Sequence, residues 1–166
     1  GIWLATRGSF EEAEATLDEV RDLYDRNLGP DHPRVIETAK RQILVSYFKG
    51  DHAGQIEIIE ENIERATRTL GAEHPLTLGL RHDRALTLGP RLGRWQEGFV
   101  ALRSVTSDTV KALGPIHRLS LNARRNFVTA MTHMGQAAAG RKEAIELVED
   151  ARAAFGPSAP ITLQVT

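Results

Sequence analysis

The sequence predicts an all-α protein, built as an α-solenoid of antiparallel helix pairs. Three observations over its 166 residues predict it. A turn motif recurs: Leu28-Gly29-Pro30-Asp31-His32-Pro33 is nearly copied at Leu70-Gly71-Ala72-Glu73-His74-Pro75. Worn copies follow at Leu113-Gly114-Pro115-Ile116-His117-Arg118 and Phe155-Gly156-Pro157-Ser158-Ala159-Pro160, so the starts lie 42, 43 and 42 residues apart. A second marker keeps step, since Gly8, Gly50, Gly93 and Gly135 each fall 20 residues before the next Leu-Gly or Phe-Gly. A fixed period of this length marks stacked supersecondary units. Between the markers, apolar residues recur by threes and fours, which makes the units helical.

Residues 1–7 read as the tail of a helix closed by Gly8. Ser9 is placed to cap a helix over 10–26, with Glu11 and Glu12 in the first turn, where the macrodipole favours acids. Phe10, Ala13, Leu17, Val20 and Tyr24 form its apolar face, and Glu14, Asp18, Asp22 and Asp25 its wet one. Leu28-Gly29-Pro30 ends it, with Gly29 in the left-handed C-terminal position and Pro unable to continue. Asp31 is the expected cap of the next helix, 33–49, with Pro33 in its first turn. Val35, Ile36, Ala39, Ile43, Leu44, Tyr47 and Phe48 are the apolar residues of that helix. A helix over 52–69 carries Ile56, Ile59, Ile63 and Ala66. Further helices are expected over 75–89, 95–112, 118–134 and 137–154, and Pro160 opens another. The extra residue of the 43-residue period lies near Leu88-Gly89-Pro90-Arg91, where Gly-Pro should end or kink the helix early. Gly140 is weak by helix propensity. Its slot holds Ala13, Gln55 and Gly98 in the other repeats, so a close helix crossing accounts for it.

The composition, 41% hydrophobic and 26% charged, is that of an ordinary globular chain. No apolar run approaches the ~20 residues of a membrane span. The absence of cysteine excludes a disulfide scaffold and a thiol nucleophile. With no export signal at Gly1 either, we place the protein in the cytoplasm. A formal net charge of −1 gives no general case for nucleic acid. Basic residues are mostly Arg, a bias suggesting a GC-rich bacterial genome.

The helix pairs with their L-G-x-x-H-P turns, and the run Thr77-Leu78-Gly79-Leu80-Arg81-His82-Asp83-Arg84-Ala85, resemble the long tetratricopeptide repeats of kinesin light chains. They are still more similar to the bacterial version that follows the nucleotide-binding switch domain in many signalling ATPases. The resemblance spans the chain and divides it into units 1–27 (partial), 28–69, 70–112, 113–154 and 155–166 (partial). It implies a single array, 1–166, cut from a longer one at both ends. Exposed apolar seams at such ends favour self-association.

Catalytic chemistry finds no foothold. No Walker-type phosphate loop or Gly-x-Ser-x-Gly elbow is present, and the Glu-rich runs sit at helical spacing as solvated faces. His32, His74 and His117 hold equivalent turn positions on the order of 10 Å apart, too far to share one ion. They read as turn-forming side chains bonded to local backbone. His52 starts a helix and reads as solvated; His82 and His133 lie on first helices of their pairs. We expect no metal, no cofactor and no enzyme.

Charge, by contrast, is divided between helices. First helices carry Arg34, Lys40, Arg41 and Lys49; Arg81, Arg84 and Arg91; Arg118, Arg124 and Arg125; their acids are only Glu37 and Asp83. Second helices 10–26 and 52–69 are acidic. The resemblance implies that first helices line a concave groove, which would then be basic. The slots seven and eight residues after the turn Pro hold Lys40-Arg41, His82-Asp83 and Arg125-Asn126. With Tyr47 and Asn122 these are the candidate peptide-binding residues. Arg supplies paired donors for carboxylates and Asn can clamp a peptide backbone. The competing reading makes the cations glue between repeats, with Arg81 and Arg124 the leading examples. The expected function is a non-catalytic interaction scaffold that binds an acidic peptide. A small-peptide sensor and nucleic-acid binding along the arginines are the alternatives.

Overall fold

The computed structural model describes residues 9–165. In order they form α1 (Phe10–Leu28), α2 (Pro33–Lys49), α3 (His52–Leu70), α4 (Pro75–Leu86), a π-helix (Thr87–Arg91), α5 (Trp95–Leu113), α6 (Arg118–His133), α7 (Ala137–Phe155) and α8 (Pro160–Val165). Among the described residues there is no strand. The expected helix tail over 1–7 and its Gly8 stop lie outside the described residues. The chain packs as two compact units, one ending at Thr87 and the other beginning at Leu88.

In the first unit, Phe10, Ala13 and Leu17 of α1 close on Val45 of α2. Ile36 and Ile43 of α2, Ile59 and Ala66 of α3 and Leu80 of α4 form the main core, with Ile58, Ile63, Leu70 and Leu76 around it. In the second unit, Leu121 of α6 packs with Leu147 and Ala151 of α7 and with Ile161 of α8. Each fully buried Leu or Ile contributes roughly 1.5–3 kcal/mol. Because α2 has a neighbour on both sides, its buried residues run Val35, Ile36, Thr38, Ala39, Gln42, Ile43, Val45 and Ser46, more than one face of a simple amphipathic helix.

The recurring turn does three jobs. The glycines Gly29, Gly71, Gly114 and Gly156 take φ of 85 to 92° with ψ of 153 to 161°, a region open essentially to Gly alone. This corrects the expected left-handed helical geometry at Gly29; Gly50, at φ 79° and ψ 9°, is the residue of that kind. The histidine caps the next helix: His32 Nδ1 accepts from the Arg34 N–H, His74 Nδ1 from Leu76 and His117 Nδ1 from Leu119, each at 3.2 Å. Asp31 is therefore not the cap; its carboxylate accepts from Arg68 at 2.6 Å. Ser9 stands at the start of α1 but makes no side-chain cap bond, a second correction. A hydroxyl six residues after the glycine then ties the turn down. Thr77 donates to the Gly71 carbonyl and Thr162 to that of Gly156, both at 2.8 Å.

The 43-residue period resolves at Thr87–Arg91. The helix does not stop at Gly89-Pro90; it widens into a π-turn and passes through Pro90. A Pro ring in an α-helix clashes with the carbonyl four residues back, and a wider turn relieves that contact while absorbing one additional residue. The closing bonds count the insertion. Asp51 and Gln136 reach back five residues, to the carbonyls of Ser46 and Met131, whereas Arg94 reaches back six, to Leu88.

The slot of Ala13, Gln55, Gly98 and Gly140 is buried in all four repeats. A Cβ on Gly140 would lie 3.3 Å from Met131 Cβ and 3.5 Å from the Val128 carbonyl, so α6 and α7 cross closely there, as expected. Gln55 is too large for such a crossing by itself, but it is bonded within the core. It donates to the Ile43 carbonyl at 3.0 Å and accepts from Thr87 at 3.2 Å.

Candidate functional site

Whether a first-helix cation is free for a ligand depends on the neighbouring helices. Three are consumed by carboxylates of second helices. Lys49 of α2 donates to Glu14 of α1 at 2.9 Å, and Arg84 of α4 to Glu60 of α3 at 2.9 Å. Arg124 of α6 is 6% exposed and bridges two acids of α7, Glu143 and Asp150, both at 2.6 Å. Burial opposes the charge on Arg124, but the hydrogen bonds it donates to these carboxylates outweigh that and hold the guanidinium above its ordinary range. The bond to Glu14 likewise raises Lys49. Arg34 lies over the Tyr24 ring at 5.9 Å. Lys49 and Arg84 thus tie neighbouring repeats together, as the glue reading has it, whereas Arg124 pairs with the acids of its own repeat.

Two of the candidate cations are different. Lys40, half-buried, and Arg41, exposed, make no ion pair among the described residues. The Lys40 stem runs from α2 across α4, where Nζ lies 3.1 Å from the point a Cβ on Gly79 would occupy. Gly79 is fully inside α4, where glycine costs about 1 kcal/mol against alanine. Its missing side chain leaves the ammonium room to lie against the helix. Arg41 lines a recess of about 380 Å³ between α1 and α2, with Tyr24, Arg34 and Glu37.

Tyr47 is 42% exposed one helix end further along α2, edge-on to Phe48 at 5.3 Å. His82, by contrast, is 7% exposed; its Nδ1 stands 3.9 Å from the Asp83 carboxylate, so its ring offers a ligand little surface. Asp83 is half-buried beside it. In the second unit Asn122, Arg125 and Asn126 are half-buried and share one face of α6 at i, i+3 and i+4. The candidates thus fall into a pair on α2 joined by Tyr47, a pair on α4 and a triplet on α6. His133, exposed, stacks on Trp95 at 4.2 Å, and Phe99 stacks on Phe127 at 5.5 Å. The partners of each ring pair lie on different helices, so no local spacing announces these contacts.

Among the described residues, no group of three His, Cys, Asp or Glu side chains is placed to hold a metal ion. No described helix is long and apolar enough to cross a membrane.

Antiparallel helix pairs with a 42-residue beat define the class: an α-solenoid of repeated hairpins. The particular repeat resembles the tetratricopeptide type. A tetratricopeptide repeat model matches residues 1–34. The fold is similar to the nearly identical TPR-like repeats assigned to a kinesin light chain of Podosopora anserina. That structure has a TM-score of 0.77 at 21% identity over 98% of this chain and 76% of the other; a singly substituted form of it gives 0.79 at the same identity and coverage. BtubC (BKLC) from P. vanneervenii is similar at TM-score 0.76 and 14% identity, over 96% of this chain and 62% of that one. No curated protein matches in sequence.

Proposed function

We propose that the chain is a non-catalytic interaction scaffold that takes an acidic peptide segment on its first-helix surface, with Lys40 and Arg41 as the leading contacts. Asn122, Arg125 and Asn126 supply the corresponding contacts within the second unit. The observation that carries this reading is the state of Lys40. It is a half-buried ammonium with no carboxylate, laid into the space left by Gly79, while Lys49, Arg84 and Arg124 are all neutralised by acids. A cation placed in advance loses little side-chain freedom on binding and would attract an acidic partner. The acidic character of the ligand follows from these charges, and the role as scaffold from the repeat architecture.

The test is the affinity of the purified chain for a Glu-rich octapeptide at low and moderate salt, with Lys40→Glu and Arg125→Glu alongside. Each reversal should weaken binding by about tenfold or more, since a hydrogen bond to a charged group is worth roughly 1.5–3 kcal/mol. Helicity should be unchanged. Undiminished binding in Lys40→Glu would sink the proposal. Tighter binding of single-stranded nucleic acid than of peptide, falling steeply with salt, would replace it with the nucleic-acid reading.

A further inference from the structure

We infer a second site, specific for a phosphoryl group carried on a partner peptide, in the cleft that α5, α6 and α7 enclose within the second unit. The cleft holds about 560 Å³ and contains none of the candidate groove residues. Its α5 wall presents Arg103, Thr106, Ser107 and Lys111 at i, i+3, i+4 and i+8, all hydrogen-bond donors on one face. Neither Arg103 nor Lys111 makes an ion pair among the described residues. Thr106 is 7% exposed, and its hydroxyl oxygen is buried with no hydrogen-bond partner. A buried hydroxyl left without a partner is destabilising, so a ligand that bonds it gains accordingly.

Geometry selects the ligand. Arg103 and Lys111 stand one turn either side of Ser107, about 6 Å along the axis in each direction, and both side chains can converge on one group above it. That group would meet two cations and two hydroxyls. A phosphoryl group, with three acceptor oxygens and a charge near −2, uses this set more fully than a carboxylate with two oxygens. Of the acids facing the cleft, Glu143 and Asp150 are both held by Arg124 at 2.6 Å, which leaves one net negative charge against the two cations of the α5 wall. Phe127 and Val110 supply apolar lining for the peptide around the phosphate.

The experiment follows amide shifts of Thr106 and Ser107 by NMR as the chain is titrated with a blocked Ala-Ala-phosphoserine-Ala-Ala peptide. Its serine and glutamate counterparts and inorganic phosphate are titrated in parallel. Saturable shifts are expected with the phosphopeptide. The double variant Arg103→Gln, Lys111→Gln should weaken binding by about tenfold or more, and Thr106→Val by several-fold. Lys40→Glu should leave this binding unchanged, which separates the site from the proposed groove. Absence of saturable shifts, or equal affinity in the double variant, would overturn the site. Equal affinity for the glutamate peptide would overturn the phosphoryl preference, and equal affinity for inorganic phosphate the assignment to a peptide. Arg103 and Lys111 are exposed, so their replacement leaves folding intact.

Discussion

Arg124 is a residue for which charge alone leaves two roles open and the surrounding acids decide between them. In the sequence it belongs with Arg125 in a basic helix; in the fold its guanidinium is buried between two carboxylates while Arg125 is half-buried one position on. Removing one partner of a buried pair leaves the other charges uncompensated. Glu143 and Asp150 keep some solvent, 27% and 43% exposed as side chains, so Arg124→Ala should destabilise by about 2–3 kcal/mol, below the full cost of a sealed pair. Arg124→Lys should recover only part of this, because a point ammonium cannot span both acids as the guanidinium fork does. Urea denaturation of both variants checks the ordering, and a fully stable lysine variant would refute it. The pair is no pH switch. A cation whose pKa is raised in the folded state contributes stability below its unfolded value and loses it as pH rises through the folded one. For Arg124 that window lies above about pH 12. Stability attributable to this bridge should therefore be flat across neutral pH.

At the scale of the element, the turn was the most legible part of the sequence. Glycine, proline and histidine act there through local backbone geometry, which does not depend on what packs against it. Gly71 shows this: a Cβ there would touch nothing within 4 Å, yet its φ of 92° and ψ of 160° exclude other residues. Gly71→Ala should thus cost about 1–3 kcal/mol in thermal or denaturant unfolding from conformation alone. An unaltered midpoint would mean the turn can relax. His74→Ala should cost about 1 kcal/mol through the lost cap, with His74→Asp close to neutral because Asp can also accept from the N-terminal amides. Legibility failed where two local signals competed. Asp31 and His32 are both near the helix start, and the ion pair to Arg68, 37 residues away, took the better capping residue out of contention. Gly89-Pro90 read as an early end or a kink, and the fold absorbed it as a π-turn. Gly89 packs there against Gly98 and the Trp95 ring, a contact between separate helices that no local pattern announces.

At the scale of the whole molecule, period and helix order were readable because every repeat states them again. The binding surface was not, since a cation's role depends on which acid lies opposite it, 35 residues away for Lys49 and 19 for Arg124. Stability should also follow the repeats. Within each unit a helix packs mainly on its chain neighbours, α1 on α2 and α2 on α3, or α6 on α7 and α7 on α8. In such an array stability is close to a sum of repeat and nearest-neighbour contributions. Leu121, fully buried in α6, is a core residue whose replacement by Ala should cost about 2–5 kcal/mol. The loss should be local: amide exchange in α6, α7 and α8 should accelerate, while α1, α2 and α3 keep most of their protection. Ile59→Ala in α3 should give the reverse pattern. If either substitution accelerated exchange equally along the whole chain, the molecule would unfold as one cooperative block. Ligand binding on α2 would then stabilise α7 as much as α3. If the effects stay local, peptide contacts at Lys40 and Arg41 should protect the first unit and those at Arg125 the second, each effect confined to its own unit, and exchange with peptide bound would map the footprint helix by helix.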